Sequence, residues 1–186
     1  MSSQLRIFHE ERPLISLEEL MKRPAYQMLY DMGIRSQARI REAIDSLPYR
    51  MIQFRRTECL GNCPSYLVTL ERNGKARYNG FAHVEKLGIH DGKINPYAYT
   101  RLCLLLERLN ISAMNPYYAT MWTDDTTAKL TLHLDKGNER IEISDYGQAG
   151  PIELWAIHQT IDTIIDDIEW TKRAVASNFP RKKSNQ

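Results

Sequence analysis

No window of this chain approaches the roughly 18 uncharged apolar residues that a membrane-spanning helix needs, so no segment is expected to cross a bilayer. Residues 1–10 hold no apolar core of the kind a secretory leader carries, and a cytoplasmic protein is the expectation. Charge of one sign is also missing. The 25 basic and 23 acidic residues leave a net charge of +2, too even to mark nucleic acid or a membrane surface as the partner. Cysteine is scarce: three in 186 residues, an odd count that fits reduced thiols better than a disulfide framework. The chain has no phosphate-cradling glycine loop, no dinucleotide fingerprint and no serine nucleophile elbow. Its five histidines are scattered with no pair four residues apart, which argues against a histidine-based metal site. No catalytic residue, cofactor or metal is therefore assigned.

What remains is the profile of a folded domain, with 42% hydrophobic and 26% charged residues. A chain of this length buries roughly 70% of its unfolded surface, so its core needs no disulfide or metal. Residues 1–15 are polar and mixed and read as a loosely held arm. Ser16 and Glu19 form a capping-box pattern at the start of a short helix. A second helix is expected over 24–32, stopped by Gly33, and a third over 37–46, capped by Ser36. Ile40, Ala43, Ile44 and Leu47 give the third helix an apolar stripe. The pair around Gly33 invites a helix-turn-helix reading carried by Arg35, Arg39 and Arg41. Glu42 and Asp45 on the same helix would repel phosphates, so nucleic acid is disfavoured.

From Tyr49 the hydrophobic period becomes extended. Residues 51–55 read as a strand, and Tyr66, Val68 and Leu70 alternate with polar neighbours in another. The turn at Arg72-Asn73-Gly74 allows two registers. Only a three-residue loop with Gly74 left-handed sets Leu70 opposite Ala76 and Val68 opposite Tyr78, keeping apolar with apolar. Gly88, Asp91 and Gly92 mark a loose turn region. Asn95-Pro96 starts a helix lined by Tyr99, Leu102, Cys103, Leu106 and Leu109, with Cys103 as packing. Residues 111–127 read as irregular. A second hairpin alternates Ala128, Leu130, Leu132 and Leu134 on one arm with Ile141 and Ile143 on the other. A last helix starts at Gly150-Pro151 and carries Leu154, Ile157, Ile161, Ile164, Ile165 and Ile168 to about Val175.

The expected fold is two-layer α+β. An antiparallel sheet of about five strands, in the order β-β-β-α-β-β-α, has two long helices on one face. Helices from the N-terminus cover an edge or the open face. Residues 1–48 form a helical appendage, 49–175 the α+β domain, and 176–186 a basic, disordered tail.

Candidate chemistry is confined to two places. Cys59, Gly61, Asn62, Cys63, Pro64 and Tyr66 form the densest turn chemistry in the chain, and Gly61 lets the two sulfurs approach. The bland reading is a pair of small buried residues. The alternatives are a reversible disulfide, a metal site, or a nucleophilic thiol served by a base such as His83. Asp124, Asp125, Asp145 and Tyr146 form a polar cluster at hairpin ends, fit for cation binding or acid–base work but equally for capping turns. Asp162, Asp166, Asp167 and Glu169 read as a solvated helix face, with Lys172 and Arg173 near enough for weak ion pairs.

The run Cys59-x-Gly61-x-Cys63-Pro64-x-Tyr66 resembles the signature of a bacterial family that is itself a domain of unknown function. The resemblance continues through Gly74, Tyr78-x-Gly80, Gly88, Asp145-Tyr146, Pro151 and Trp170, and covers about residues 50–172. Members often carry Phe and Thr where this chain has Leu60 and Asn62, and many look exported, which this chain does not. The resemblance implies a small α+β domain and no particular activity. The functional expectation is a non-enzymatic protein-interaction domain, of regulatory or toxin-neutralising type. It would bind another protein through the sheet's open face or the N-terminal helices, and a homo-oligomer is compatible with it. The competing readings are a thiol-dependent redox or hydrolytic enzyme using Cys59 and Cys63, and DNA binding through residues 24–46.

Overall fold

The computed structural model describes residues 13–27, 37–135 and 137–174. The N-terminal arm up to residue 12, the stop at Gly33, the cap at Ser36, Arg35 and the basic tail lie outside the described residues.

Among the described residues the chain is a mixed α/β structure with eight strands and five α-helices. Three helices come first: α1 (Leu17–Leu20), α2 (Pro24–Gln27) and α3 (Gln37–Asp45). The strands are β1 (Tyr49–Arg56), β2 (Ser65–Glu71), β3 (Lys75–Ala82), β4 (Gly88–Lys93), β5 (Tyr117–Ala119), β6 (Thr127–Leu134), β7 (Arg140–Tyr146) and β8 (Thr171–Lys172). Helix α4 (Pro96–Arg108) follows β4, and α5 (Ile152–Asp166) follows β7. All strands join one sheet in the order β5-β7-β6-β1-β2-β3-β4-β8. Every pairing is antiparallel except β5 with β7.

Local chemistry explains the elements. Ser16 Oγ accepts the Glu19 amide and starts α1. Asn95 Oδ1 accepts the Tyr97 amide and Pro96 opens α4. Leu70 faces Ala76 and Val68 faces Tyr78 across a three-residue turn in which Gly74 has φ +89°. That is the register the apolar pattern requires, because a slip by one would put Val68 and Leu70 in water. In the second hairpin Leu130 faces Ile143 and Leu132 faces Ile141. One face of the sheet is thus apolar, and its Ile52, Phe54, Val68, Leu70, Leu130 and Leu132 are fully buried. Leu102, Cys103 and Leu106 of α4 join the same core as Leu154, Ile157 and Ile161 of α5. Each such side chain contributes about 1.5–3 kcal/mol on burial.

The structure corrects the expected architecture in several places. The sheet has eight strands, not five. Gly88, Asp91 and Gly92 are not a loose turn but lie in β4, which pairs with β3 from Gly80–Gly88 to Lys75–Lys93. Gly88 supplies a φ of +83° in open space, whereas Gly92 serves close approach: a Cβ there would fall 2.6 Å from Ile168 Cγ2 and 3.0 Å from Trp170 Cε3. The last helix stops at Asp166 rather than near Val175. Ile168 turns into the core, Trp170 Nε1 donates to the Ile165 carbonyl at 2.9 Å, and β8 then extends the edge beside β4. Residues 111–127 are not wholly irregular, since they hold a 3-10 turn at Ile111–Ala113 and the edge strand β5. Helices α1 and α2 do not cover the open face or an edge. They pack on α4, where Arg23 and the Tyr26 hydroxyl both bond the buried Glu107 carboxylate. Among the described residues no helix is long and apolar enough to cross a membrane.

Gly92→Ala should cost about 1–3 kcal/mol in chemical denaturation, because the methyl group must displace Ile168 and Trp170 from the core edge.

Candidate functional site

Strands β1, β3 and β7 all finish at one end of the sheet. Their connections, 57–64, 83–87 and 147–151, gather there with the segment 120–126 and the start of α5.

The first connection carries a Cys59–Cys63 disulfide, with Cα atoms 5.5 Å apart. This corrects two expectations. The thiols are bonded rather than reduced, and both cysteines are only half-buried, in a loop whose Glu58, Leu60, Gly61, Asn62 and Pro64 are exposed. The Gly61 amide donates to Cys59 Sγ at 3.3 Å. Closing so few residues constrains the unfolded chain by only about 2 kcal/mol on the chain-entropy account. No residue of 57–64 belongs to the core, so the bond shapes the loop and does not staple the fold. With each sulfur committed to the other, neither is a free nucleophile for hydrolysis. Cys103, by contrast, is wholly buried, and burial pushes its thiol well above the ordinary value.

Directly beyond the loop lies a cleft of about 270 Å³. Its base is formed by Arg56, Tyr66 and Tyr78, and its walls by Pro64, the connection His83–Lys86, the α5 residues Asp162, Ile165 and Asp166, and Trp170. Arg56 and Tyr66 are cross-strand partners on the inward face of β1 and β2. Arg56 Nη2 meets Asp162 Oδ2 at 2.6 Å, the Tyr66 hydroxyl bonds Asp162 Oδ1, and Arg56 Nε donates to that hydroxyl at 3.2 Å. Burial works to lower the guanidinium's pKa, but the hydrogen bond and charge of Asp162 more than reverse this and hold Arg56 protonated. Burial, then the Asp162 carboxylate, pushes the Tyr66 hydroxyl upward. Tyr78 stacks on Tyr66 at 5.4 Å and leans on Trp170 at 5.6 Å. Burial, with Asp166 and Asp162 nearby, raises the Tyr78 hydroxyl to about 12. The wall at Lys86 depends on Gly80, where any Cβ would collide with the Lys86 carbonyl oxygen. Asp162 is therefore not part of a solvated face, as expected, but the anion that ties α5 to the sheet. Arg173 likewise leaves the α5 acids and grips Asp91 at 2.7 and 2.8 Å.

The expected aspartate cluster is only partly assembled. The Asp125 amide donates to the Tyr146 hydroxyl at 3.1 Å, and its carboxylate accepts Trp122 Nε1 at 3.2 Å and the Thr126 amide at 2.7 Å. Asp124 is exposed with φ +69°. Asp145 points inward, accepts the Gly150 amide at 2.9 Å, and lies 3.9 Å from His158 Nδ1. Asp125 and Asp145 cap turns, Asp124 accepts the Thr123 hydroxyl at 3.3 Å, and neither these aspartates nor the two cysteines line the cleft. His158 is 2% exposed, and its Nε2 has no hydrogen-bond partner. Burial, with Arg56 close by, pushes His158 down to about 3 and keeps it neutral. Burial raises Asp145, partly offset by the amides of Gly150 and Ala149.

The family model "Domain of unknown function (DUF6438)" matches residues 50–165. The chain belongs to that family. The DUF6438 match runs from β1 to the last turn of α5, so it takes in the disulfide loop and the Arg56–Asp162 pair. No curated protein matches the chain. Within this DUF6438 domain Arg56, Tyr66 and Asp162 satisfy one another at the base of the cleft. Among the described residues no group of three or more His, Cys, Asp or Glu converges as a metal site.

Two outcomes follow from this geometry. Asp162→Ala leaves Arg56 without its carboxylate. The side chains are 12% and 29% exposed, so solvent softens the loss to about 1–3 kcal/mol in urea denaturation. His158 titrates near 6.5 when unfolded and near 3 when folded, so the unfolded state takes up protons first. Its contribution is complete above 6.5 and falls as pH drops toward 3, by about 1.4 kcal/mol per unit at most. Asp145, raised on folding, acts in the opposite sense just above its ordinary value of 3.8. His158→Leu should therefore flatten the stability–pH curve between 6.5 and 4.5, measured by denaturation across pH.

Proposed function

We propose that this DUF6438 chain is a non-enzymatic, cytoplasmic protein-interaction domain that docks through the connection-bearing end of its sheet. One observation carries the reading. Leu60, Leu87, Met121, Trp122, Ile152 and Trp155 are all exposed, and all sit on connections or on the first turn of α5 at that end. Met121 is 99% and Leu60 84% exposed, which leaves large apolar area in water. The connections at the opposite end, 72–74, 94–95 and 135–139, expose no large apolar side chain among their described residues, and the first turn of α4 there exposes Tyr97. Exposed Leu and Trp anchors on held loops lose little entropy when covered. The disulfide fixes Leu60, and the Trp122 indole is tethered to Asp125.

The sheet's open face serves this role less well. It is laced by polar pairs, with Gln53 on Thr69 at 3.3 Å, His133 on Gln53 at 3.0 Å, and Lys129 near Glu142 at 3.4 Å. The cleft's aromatic base and mixed charges suit seating a side chain of the partner. Nucleic acid is not favoured, since exposed Glu42 and Asp45 flank Arg41 on α3.

The test is photo-crosslinking in the native host from positions 60 and 122, with exposed Lys75 at the far end as control. Both loop positions should capture the same protein, and position 75 should not. Capture from all three, or from none, rejects the docking surface. Leu60→Asp should lower that capture at least about tenfold with the melting curve unchanged.

A further inference from the structure

The setting of the Cys59–Cys63 bond goes beyond docking: we infer that it is an exchange site, which trades two electrons with a dithiol partner through thiol–disulfide exchange. Three independent features of the loop carry this.

Access comes first. Both cysteines are half-buried while the residues between them, and those flanking them, are exposed. An incoming sulfur needs a path to the bond, and this loop offers one without unfolding. The second feature is the cost of opening. The bond spans a sequence separation of four, and nothing in residues 57–64 belongs to the core. Breaking it leaves Phe54, Tyr66 and Val68 packed where they are, so the reduced form keeps the fold. The third feature is polarity. The Gly61 amide donates to Cys59 Sγ at 3.3 Å, and a backbone N–H on a sulfur favours its thiolate. Cys59 is therefore the better leaving group, and attack falls on Cys63. Gly61 itself has open space around it, its nearest neighbour for a Cβ being Cys59 Sγ at 3.8 Å, so the loop has room to move.

A partner thiolate attacks Cys63 Sγ, the Cys59–Cys63 bond breaks, and the electron pair leaves on Cys59 Sγ. The product is a mixed disulfide on Cys63 and a thiolate on Cys59 held by the Gly61 amide. The partner's second thiol, once deprotonated, then attacks the partner's own bridging sulfur and expels Cys63 as thiolate. The partner ends as a disulfide, oxidised by two electrons. The chain ends as two thiols once solvent protons are taken up. The reverse sequence restores the bond. Cys103 takes no part, being wholly buried.

The experiment uses the full chain and dithiothreitol as the dithiol probe, at mildly alkaline pH without denaturant. Samples are quenched in acid, unfolded and tagged with a heavy maleimide. Cys103 supplies one tag throughout. Two further tags should appear at a rate within about tenfold of that in denaturant. Far-UV circular dichroism should not change, and oxidised glutathione should remove both tags again. With reduced glutathione as a one-thiol probe, peptide mass analysis should find the trapped adduct on Cys63. Reduction slower than in denaturant by about a thousandfold, or reduction that unfolds the chain, overturns the inference. So does a Cys59→Ser/Cys63→Ser variant that fails to fold, because the bond is then structural. An adduct mainly on Cys59 overturns the assigned direction. None of these readouts depends on a docking partner, so this inference and the interaction proposal fail separately.

Discussion

One half-buried cation, Arg56, organises the end of the molecule that carries the cleft. Arg56 stands two residues after Phe54 and four after Ile52, on the parity that faces the core. A charge there is costly unless it is paired and hydrogen-bonded. Asp162 supplies the pairing, the Tyr66 hydroxyl completes it, and the guanidinium lies 5.0 Å from the centroid of Phe54. Because the anion comes from α5 and the other groups from β1 and β2, satisfying Arg56 fixes where α5 lies along the sheet. His158, one turn earlier on α5, is then set against Phe54 at 5.0 Å and near Asp145, while Ile165 and Asp166 fall on the cleft wall. The cleft is the space left over when that constraint has been met.

Much of the scaffold was legible in the chain. The two hairpins, the register at Gly74 and both long-helix starts follow from period, parity and caps. The missed parts share one cause. β4, β5 and β8 have no hydrophobic alternation of their own, so only their neighbours make them strands. Gly92 reads as a turn residue until Ile168 and Trp170 lie across it. The stripe from Leu154 to Ile168 predicts a longer helix because Ile168 is buried either way. Periodicity cannot tell a continued helix from a chain that doubles back with the same residue inside.

The candidate site divides in the same manner. The Cys59 to Tyr66 run was visible as turn chemistry and a disulfide as one reading of it, but its half-exposed setting was not. Arg56 and Asp162 were missed although a signal existed. A basic residue on the inward parity of a strand demands a buried acid, and Asp162, four residues after His158 on the flank of the apolar stripe, was the acid in position to answer. Counting charges along α5 as one solvated face hid it. The aspartates at 124, 125 and 145 read as one cluster because all sit at hairpin ends, but Asp125 and Asp145 are each drawn to a nearby amide and Asp124 to the Thr123 hydroxyl.

The two halves of this end set different demands on the chain. The Arg56–Asp162–Tyr66 set is closed: each polar group is bonded to another, which holds a wall in place. The disulfide loop beside it is open, exposed and outside the core, and Pro64 links the two by following Cys63 and lining the cleft. A rigid base with a separable rim is the arrangement in which a rim can change state without disturbing the base. In a compartment that keeps thiols reduced, such a bond persists only as a passing state. In an oxidising one it holds the rim and Leu60 permanently in place. The geometry of docking is the same in both, but only the first setting gives the bond an event to report.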